Sequence, residues 1–367
     1  MRLSLKPSLS WLLVFVPAAA LLEWLAPERH TLVFGAACVA VIPLAGWLGK
    51  ATEHLAEHTG EGVGGLLNAT FGNAAEMIIA IMALRQGLTE VVKASITGSI
   101  IGNILLVLGA AFLAGGLRHK RQTYNTQGAR TQATLLTLAA VALVSESAFH
   151  HLGGAEALPL EAPLSLIIAI LLLVAYGLGL VFTLHTHKHY FAGHGPEAGA
   201  VEAEISGKNW SKGKSFAVLL TSTAFIAWMS EILVGSVEGA AESLGMSQIF
   251  IGVVVVAIVG NAAEHSTAIL MAWKNRNDLA LTIAVGSSIQ IALFVAPVLV
   301  LLSYWIAPRP MDLIFTPAEV LAVVLAVWVT EQISGDGESN WLEGAMLLAV
   351  YAILGAVFYL LPAGIGH

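Results

Sequence analysis

Apolar stretches of about 20 residues follow one another along almost the whole chain, each long enough to cross a bilayer as a helix. Hydropathy read together with turn signals predicts eleven helices. They lie near 9–26, 31–50, 62–85, 92–116, 130–150, 163–185, 215–239, 247–273, 279–303, 316–333 and 341–362. The breaks fall at Ala26-Pro27, Arg118-His119-Lys120-Arg121, a polar linker from His187 to Lys214, Pro308-Arg309-Pro310 and Gly335-Asp336-Gly337. The first apolar run, Leu9 to Leu25, follows Arg2 and Lys6 and contains Ala18-Ala19-Ala20, which are features of a signal peptide. Because the run continues past the alanines, it is read as a retained span.

Composition agrees with this pattern. The 367 residues are 57% hydrophobic and 11% charged, with a mean hydropathy of +0.80. A soluble domain carries about a quarter charged residues, so much of this surface faces lipid. The net charge of -7 leaves no basic face for a nucleic acid. Cys38, the single cysteine, has no partner for an internal disulfide and leaves the redox compartment open. When the loops are alternated between two sides, the 17 Lys and Arg divide thirteen to four. The poor side holds Arg29, Arg85, Lys93 and Arg309. The positive-inside rule then places the N-terminus in the cytoplasm and the C-terminus outside, an orientation that requires an odd number of spans.

The pentapeptide Gly72-Asn73-Ala74-Ala75-Glu76 recurs as Gly260-Asn261-Ala262-Ala263-Glu264, 188 positions later. The same offset pairs Gly64 with Gly252, Gly98-Ser99 with Gly286-Ser287, Ile101 with Ile289 and Leu105 with Leu293. Register kept across two successive spans is a repeat rather than a composition accident. Five spans separate the copies, and an odd number inverts the second relative to the first. Inverted repeats place substrate sites near the bilayer midplane. The expected architecture is therefore all-α and polytopic. An orphan first helix (1–30) precedes one five-helix repeat (31–186), a cytoplasmic acidic and His-rich linker (187–214) and a second five-helix repeat (215–367).

Glu76 and Glu264 sit well inside apolar spans, where an ionisable residue is costly and a functional role is the default reading. Asn73 and Asn261 stand three positions earlier, on the same helix face. Gly72 and Gly260 precede them and are expected to let the helix unwind and free backbone carbonyls. Two carboxylates, two amides and carbonyls form an all-oxygen set suited to Ca2+, with no soft ligand for Cu(I) or Zn2+. The next span of each repeat adds Ser99 and Asn103, and Ser287, Ser288 and Gln290. The plainer role for these neutral groups is hydrogen bonding between helices.

Asn68-Ala69-Thr70-Phe71-Gly72-Asn73-Ala74-Ala75-Glu76 and Gly260-Asn261-Ala262-Ala263-Glu264-His265 closely resemble the two repeat motifs of the CAX proton/calcium exchangers, within the calcium/cation antiporter superfamily. Gly286-Ser287-Ser288-Ile289-Gln290 and the segment from Gly335 to Ala345 extend the resemblance. It implies that Glu76 and Glu264 are the central ligands, lined by Asn73, Asn261, Ser99, Asn103, Ser287 and Gln290. Sodium/calcium relatives carry further acids where this chain has neutral residues. Two carboxylates balance one Ca2+ or two protons, which suits proton exchange, with His265 beside Glu264 as a modifier. The resemblance also suggests that Glu197, Glu202 and Glu204 in the linker sense cytosolic Ca2+; the alternative is a solvated interface.

Other motifs are weaker. His54-Leu55-Ala56-Glu57-His58 matches H-x-x-E-H, so a membrane metalloprotease is a rival class. The plainer reading is a cytoplasmic mouth where Glu53 and Glu57 attract cations, with Glu231 and Glu238 on a further access path. Gly60-Glu61-Gly62-Val63-Gly64-Gly65 has no preceding strand and is no dinucleotide motif. No phosphate-loop motif is present, which favours a secondary carrier. Gly98-x-x-x-Gly102 reads as a helix-packing patch. Glu146 and Glu331 have no assigned role. The sequence thus describes an inner-membrane antiporter that exports Ca2+ against protons by alternating access, with Na+ coupling as the alternative. Its partners are Ca2+, protons and the lipid bilayer, with no cofactor beyond the transported ion and no nucleic acid; a homo-oligomer is left open.

Overall fold

The computed structural model describes residues 9–59, 61–187, 190 and 210–361. The linker acids Glu197, Glu202 and Glu204 lie outside the described residues. The helices are α1 (Leu9–Leu25), α2 (His30–Glu57), α3 (Glu61–Phe71), α4 (Ala74–Arg85), α5 (Thr89–Arg118) and α6 (Thr126–Thr186). They continue as α7 (Lys212–Leu244), α8 (Gln248–Gly260), α9 (Ala262–Trp273), α10 (Asn277–Ile306), α11 (Pro317–Ser334) and α12 (Trp341–Leu360). Two short strands, β1 (Gln122–Thr123) and β2 (Glu338–Ser339), pair antiparallel.

Among the described residues, α2, α5, α6, α7, α10, α11 and α12 are each long and apolar enough to cross a membrane. The α8–α9 pair, bent by 63°, makes an eighth if counted as one span. The protein is an all-α, multi-pass membrane protein.

One boundary differs from the sequence reading. The loop expected between residues 150 and 163 is helical, so α6 runs on as two limbs joined at Gly154 (φ 55°, ψ -144°). Only glycine adopts that conformation readily, which makes a sharp corner without a loop. Pro159 and Pro163 lie in the first turns of the second limb, where their fixed φ suits a helix and few N–H bonds are forfeited.

The expected spans 62–85 and 247–273 are each broken in two. The residues that leave helical geometry are the asparagines, Asn73 (φ -100°, ψ 26°) and Asn261 (φ -91°, ψ 6°), both near the bridge region. Local geometry therefore repeats along with sequence. A wide π-helical turn also recurs, at Gly102–Val107 in α5 and Ile291–Val295 in α10.

Small residues bring the helices together. A methyl on Gly98 would overlap the backbone of Val253, so α5 and α8 meet main chain to main chain. Further along, α5 meets α12, where Gly109 approaches Leu347 and Gly344 approaches Leu113. The Gly335–Ala345 motif builds this junction. Gly337 (φ 83°) turns the chain, and Asn340 caps α12 by accepting from the Leu342 and Glu343 amides at 3.0 and 3.2 Å. Glu343 returns a bond to the Asn340 amide, completing a capping box.

Candidate functional site

The two helix breaks face each other across the centre of the bundle. Asn73 is the N-cap of α4 and Asn261 that of α9, yet neither side chain caps its own helix. Both are turned across to the opposite repeat. The Asn73 amide donates to Gln290 Oε1 at 2.5 Å, and Ser287 Oγ donates to Asn73 Oδ1 at 2.9 Å. In return, Asn261 Nδ2 donates to Ser99 Oγ at 3.0 Å and Asn261 Oδ1 accepts from Asn103 at 3.3 Å. Asn103 also donates to Ser287 Oγ at 3.1 Å, which joins the two halves into one network. Asn73, Asn103 and Asn261 are each 1% exposed. The six neutral residues singled out by sequence are thus brought together in one continuous set, buried except for the half-buried Gln290.

Glu76 and Glu264 are the third residues of α4 and α9, in the first turn of each half-helix. Free backbone N–H groups and the helix dipole favour negative charge at such a position. The two carboxylates are near enough to interact electrostatically. Glu76 is buried and Glu264 half-buried, and each has a shielded Oε2 with no hydrogen-bond partner. The helix breaks fall at the Gly-Asn pair of each motif, with Gly72 between α3 and α4 and Gly260 ending α8. A methyl at Gly260 would stand 3.0 Å from Glu76 Cγ, and one at Gly72 3.4 Å from Gln290 Oε1. The glycines thus also permit close approach to the other repeat. Ile79, Ala83, Val91, Leu233, Val237 and Val256 line a small, mostly apolar cavity between α4, α5, α7 and α8.

The pattern defining the family described as sodium/calcium exchanger protein matches residues 29–185 and 214–360, which contain every residue of this network. The chain belongs to the sodium/calcium exchanger family. Among its relatives, a Ca(2+)/H(+) antiporter of Aphanothece halophytica is 44% identical over 364 residues, covering 96% of each chain. A Ca(2+)/H(+) antiporter of Synechocystis is 46% identical over 362 residues, again covering 96% of each. The structure of native YfkE superposes with a TM-score of 0.81 at 42% identity, covering 96% of this chain and 100% of that one. The resemblance to proton/calcium exchangers drawn from the two motifs is borne out, and these relatives are named as transporters rather than enzymes.

Within this member of the exchanger family, the H-x-x-E-H pattern does not assemble as a protease site. His58 Nε2 is bonded to the Trp210 carbonyl at 2.7 Å, and the buried His54 ring packs on Trp210 at 4.8 Å. His54 Nδ1 meets Glu57 at 3.4 Å. Among the described residues, no three His, Cys, Asp or Glu side chains converge as a metal-ligand set. Glu53 and Glu57 are exposed at the end of α2. Glu231 and Glu238 lie exposed on α7 away from the network, Glu231 within electrostatic reach of Glu23 and Glu238 accepting from Gln248. Glu331 is exposed on α11. His265 is half-buried, about 100° round α9 from Glu264.

A second polar cluster of this exchanger was not anticipated. Lys93, counted as a loop charge, is buried in α5 and paired with Asp312 at 2.6 Å. Glu146 is fully buried, bonded to Ser165 across the α6 corner and facing the Leu313 amide at 3.4 Å. Glu319 caps α11, its Oε2 accepting from the Thr316 amide at 2.9 Å and hydroxyl at 2.8 Å. Thr316-Pro317-Ala318-Glu319 spells a capping box, so Glu319 was legible as a cap. Its burial was not.

Proposed function

We propose that this protein is a secondary active antiporter that exports Ca2+ from the cytoplasm in exchange for protons, with both competing for Glu76 and Glu264. One observation carries the reading. Two carboxylates, one from each repeat, lie within electrostatic reach of each other, each with a shielded and unpartnered oxygen, beside a continuous chain of hydrogen-bonded amides and hydroxyls. An unmatched buried carboxylate oxygen is costly, and either a proton or a divalent cation relieves that cost. The Ca(2+)/H(+) antiporter names of full-length relatives support the same pair of substrates.

In this mechanism Ca2+ takes carboxylate oxygens from both glutamates. The amide oxygens of Asn73, Asn261 and Gln290 each already accept one hydrogen bond and keep a second lone pair for the ion. Ser99, Asn103 and Ser287 hold those amides in place. Since each asparagine is held by the other repeat, a rocking of one repeat against the other breaks and remakes these bonds as access alternates. The chain is read as eleven spans: the orphan helix within residues 1–30, repeats over 31–186 and 215–367, and a cytoplasmic linker between. The thirteen-to-four division of Lys and Arg supports an inner-membrane orientation with the N-terminus inside and the C-terminus outside.

The test is 45Ca2+ uptake into proteoliposomes with proton and Na+ gradients imposed separately. Uptake follows the proton gradient and accumulates ion against its own gradient, which a passive channel cannot do. Glu76→Gln and Glu264→Gln, correctly inserted, each abolish it. Near-normal proton-driven uptake by either variant rejects the two-carboxylate site, and uptake driven by Na+ alone favours sodium coupling.

A further inference from the structure

Thr97 stands in α5 two residues before Ser99, and its hydroxyl behaves unlike those of most threonines in this bundle. Thr52, Thr134, Thr137 and Thr223 donate back to the carbonyl four residues earlier in their own helices, at 2.8–3.0 Å. The Thr97 hydroxyl instead crosses to α11 and donates to Glu319 Oε1 at 3.3 Å. Both residues are buried, Thr97 at 0% and Glu319 at 1% exposed. A helix cap needs only one carboxylate oxygen, and Glu319 uses Oε2 for that purpose. Its other oxygen is spent on α5.

The neighbouring residue explains why this bond matters. At Gly98, α5 touches α8 backbone to backbone, and one turn earlier Ala94 packs against Gly252. These contacts fix the distance between the helices, while hydrogen bonds to other helices help set the rotation of α5 about its own axis, as when Ser288 Oγ of α10 donates to the Ile100 carbonyl at 3.1 Å. Adjacent positions on a helix point about 100° apart, so the Thr97–Glu319 bond acts from another side as a rotational stop. Immediately beyond it are Ser99 and the wide turn carrying Asn103, the two groups that hold Asn261. Glu319 is itself set in place by the cap at Thr316, and by its position beside Lys93, which is paired with Asp312 and Glu90.

We propose that Glu319 and Thr97 are positioning residues for the exchange site, fixing the rotation of α5 that presents Ser99 and Asn103. This rests on the reading of the Glu76/Glu264 site as the ion site. The experiment compares the Ca2+ dependence of proton-driven uptake in wild type, Thr97→Val, Thr97→Ser and Glu319→Gln. Thr134→Val, which loses a bond internal to α6, serves as the control. Thr97→Val raises the half-maximal Ca2+ concentration about fivefold with the maximal rate within about twofold, the loss expected of one misplaced hydrogen-bonded group. Thr97→Ser restores the wild-type value. Glu319→Gln, whose amide can pair with the Thr97 hydroxyl only by reversing the bond, also raises it, and combined with Thr97→Val gives less than the product of the two shifts, because both act on one bond. An unchanged half-maximal concentration in Thr97→Val, with only a lowered thermal midpoint, overturns the proposal; should that variant fail to insert, Glu319→Gln decides in the same way. Failure of the underlying site reading looks different, since Glu76→Gln then still transports in an otherwise wild-type chain.

Discussion

Glu76 of the first repeat rests against Gly260 of the second, and a methyl at position 260 would stand 3.0 Å from Glu76 Cγ. The glycine in one copy of the motif thus sets how far the glutamate of the other reaches into the site. Gly260→Ala is expected to displace that carboxylate and weaken apparent Ca2+ affinity about tenfold, in keeping with the ~1–3 kcal/mol of overpacking. Gly235→Ala, where an added methyl meets nothing within 4 Å, leaves affinity unchanged. Flux against Ca2+ concentration distinguishes the two.

A different glycine governs assembly. The Cβ of Gly98→Ala overlaps Val253 main chain, which cannot yield by a rotamer change. The α5–α8 contact must open, so the variant is expected to lose at least ~1–3 kcal/mol and much of its folded yield. Gly102→Ala, four residues on and facing open space, is tolerated. Thermal unfolding of both in detergent checks the contrast.

Asn73 lies between Gln290 and Ser287 in the network. Its amide supplies an oxygen but does not titrate near neutral pH. Asn73→Ala, like Asn261→Ala, is therefore expected to weaken Ca2+ affinity more than it alters proton dependence. Flux at several pH values tests this, and a changed proton dependence at constant affinity reverses the assignment.

The proposed competition at one pair of carboxylates fixes the sign of the expected pH effect. If Ca2+ takes both anions, binding releases protons, and apparent affinity is expected to rise with pH across the range where the pair titrates. The other site residues are neutral, so the count is at most about two protons per Ca2+. Calorimetry in buffers of different ionisation enthalpy measures it. Proton release indistinguishable from zero between about pH 5 and about pH 9 contradicts a shared site.

Outside the membrane-spanning helices, Arg121 Nε donates to Glu338 at 2.7 Å, next to the β1–β2 pairing. Hydrogen bonding from Arg121 holds the Glu338 carboxyl below its ordinary value. The sign follows from that depression: the pair contributes above the ordinary carboxylate value, and the contribution is lost as pH falls through the lowered one. Solvent access to both side chains keeps it small. Thermal midpoints of wild type and Glu338→Gln should differ slightly near neutral pH and converge in acid.

The sequence by itself determined the membrane class and the repeat, and it singled out the residues proposed for the ion site. Lipid demands long apolar helices, which hydropathy shows directly, and a duplicated motif keeps its register in plain view. A glutamate within such a helix is costly enough to mark itself, as Glu76 and Glu264 do. Only the tertiary structure decided who holds whom. Asn73 meeting Ser287 and Gln290, and Asn261 meeting Ser99 and Asn103, depends on helices more than 150 positions apart crossing at the two breaks. The corner at Gly154 was hidden because Pro159 and Pro163 read as helix breakers, while one glycine in a left-handed conformation makes the turn instead. Lys93 was counted as a loop charge, Glu319 was passed over and Glu146 was left without a role for a related reason. A charge in the sequence looks the same whether water, a loop amide or a threonine on another helix will satisfy it, and burial is a property of the packed bundle alone.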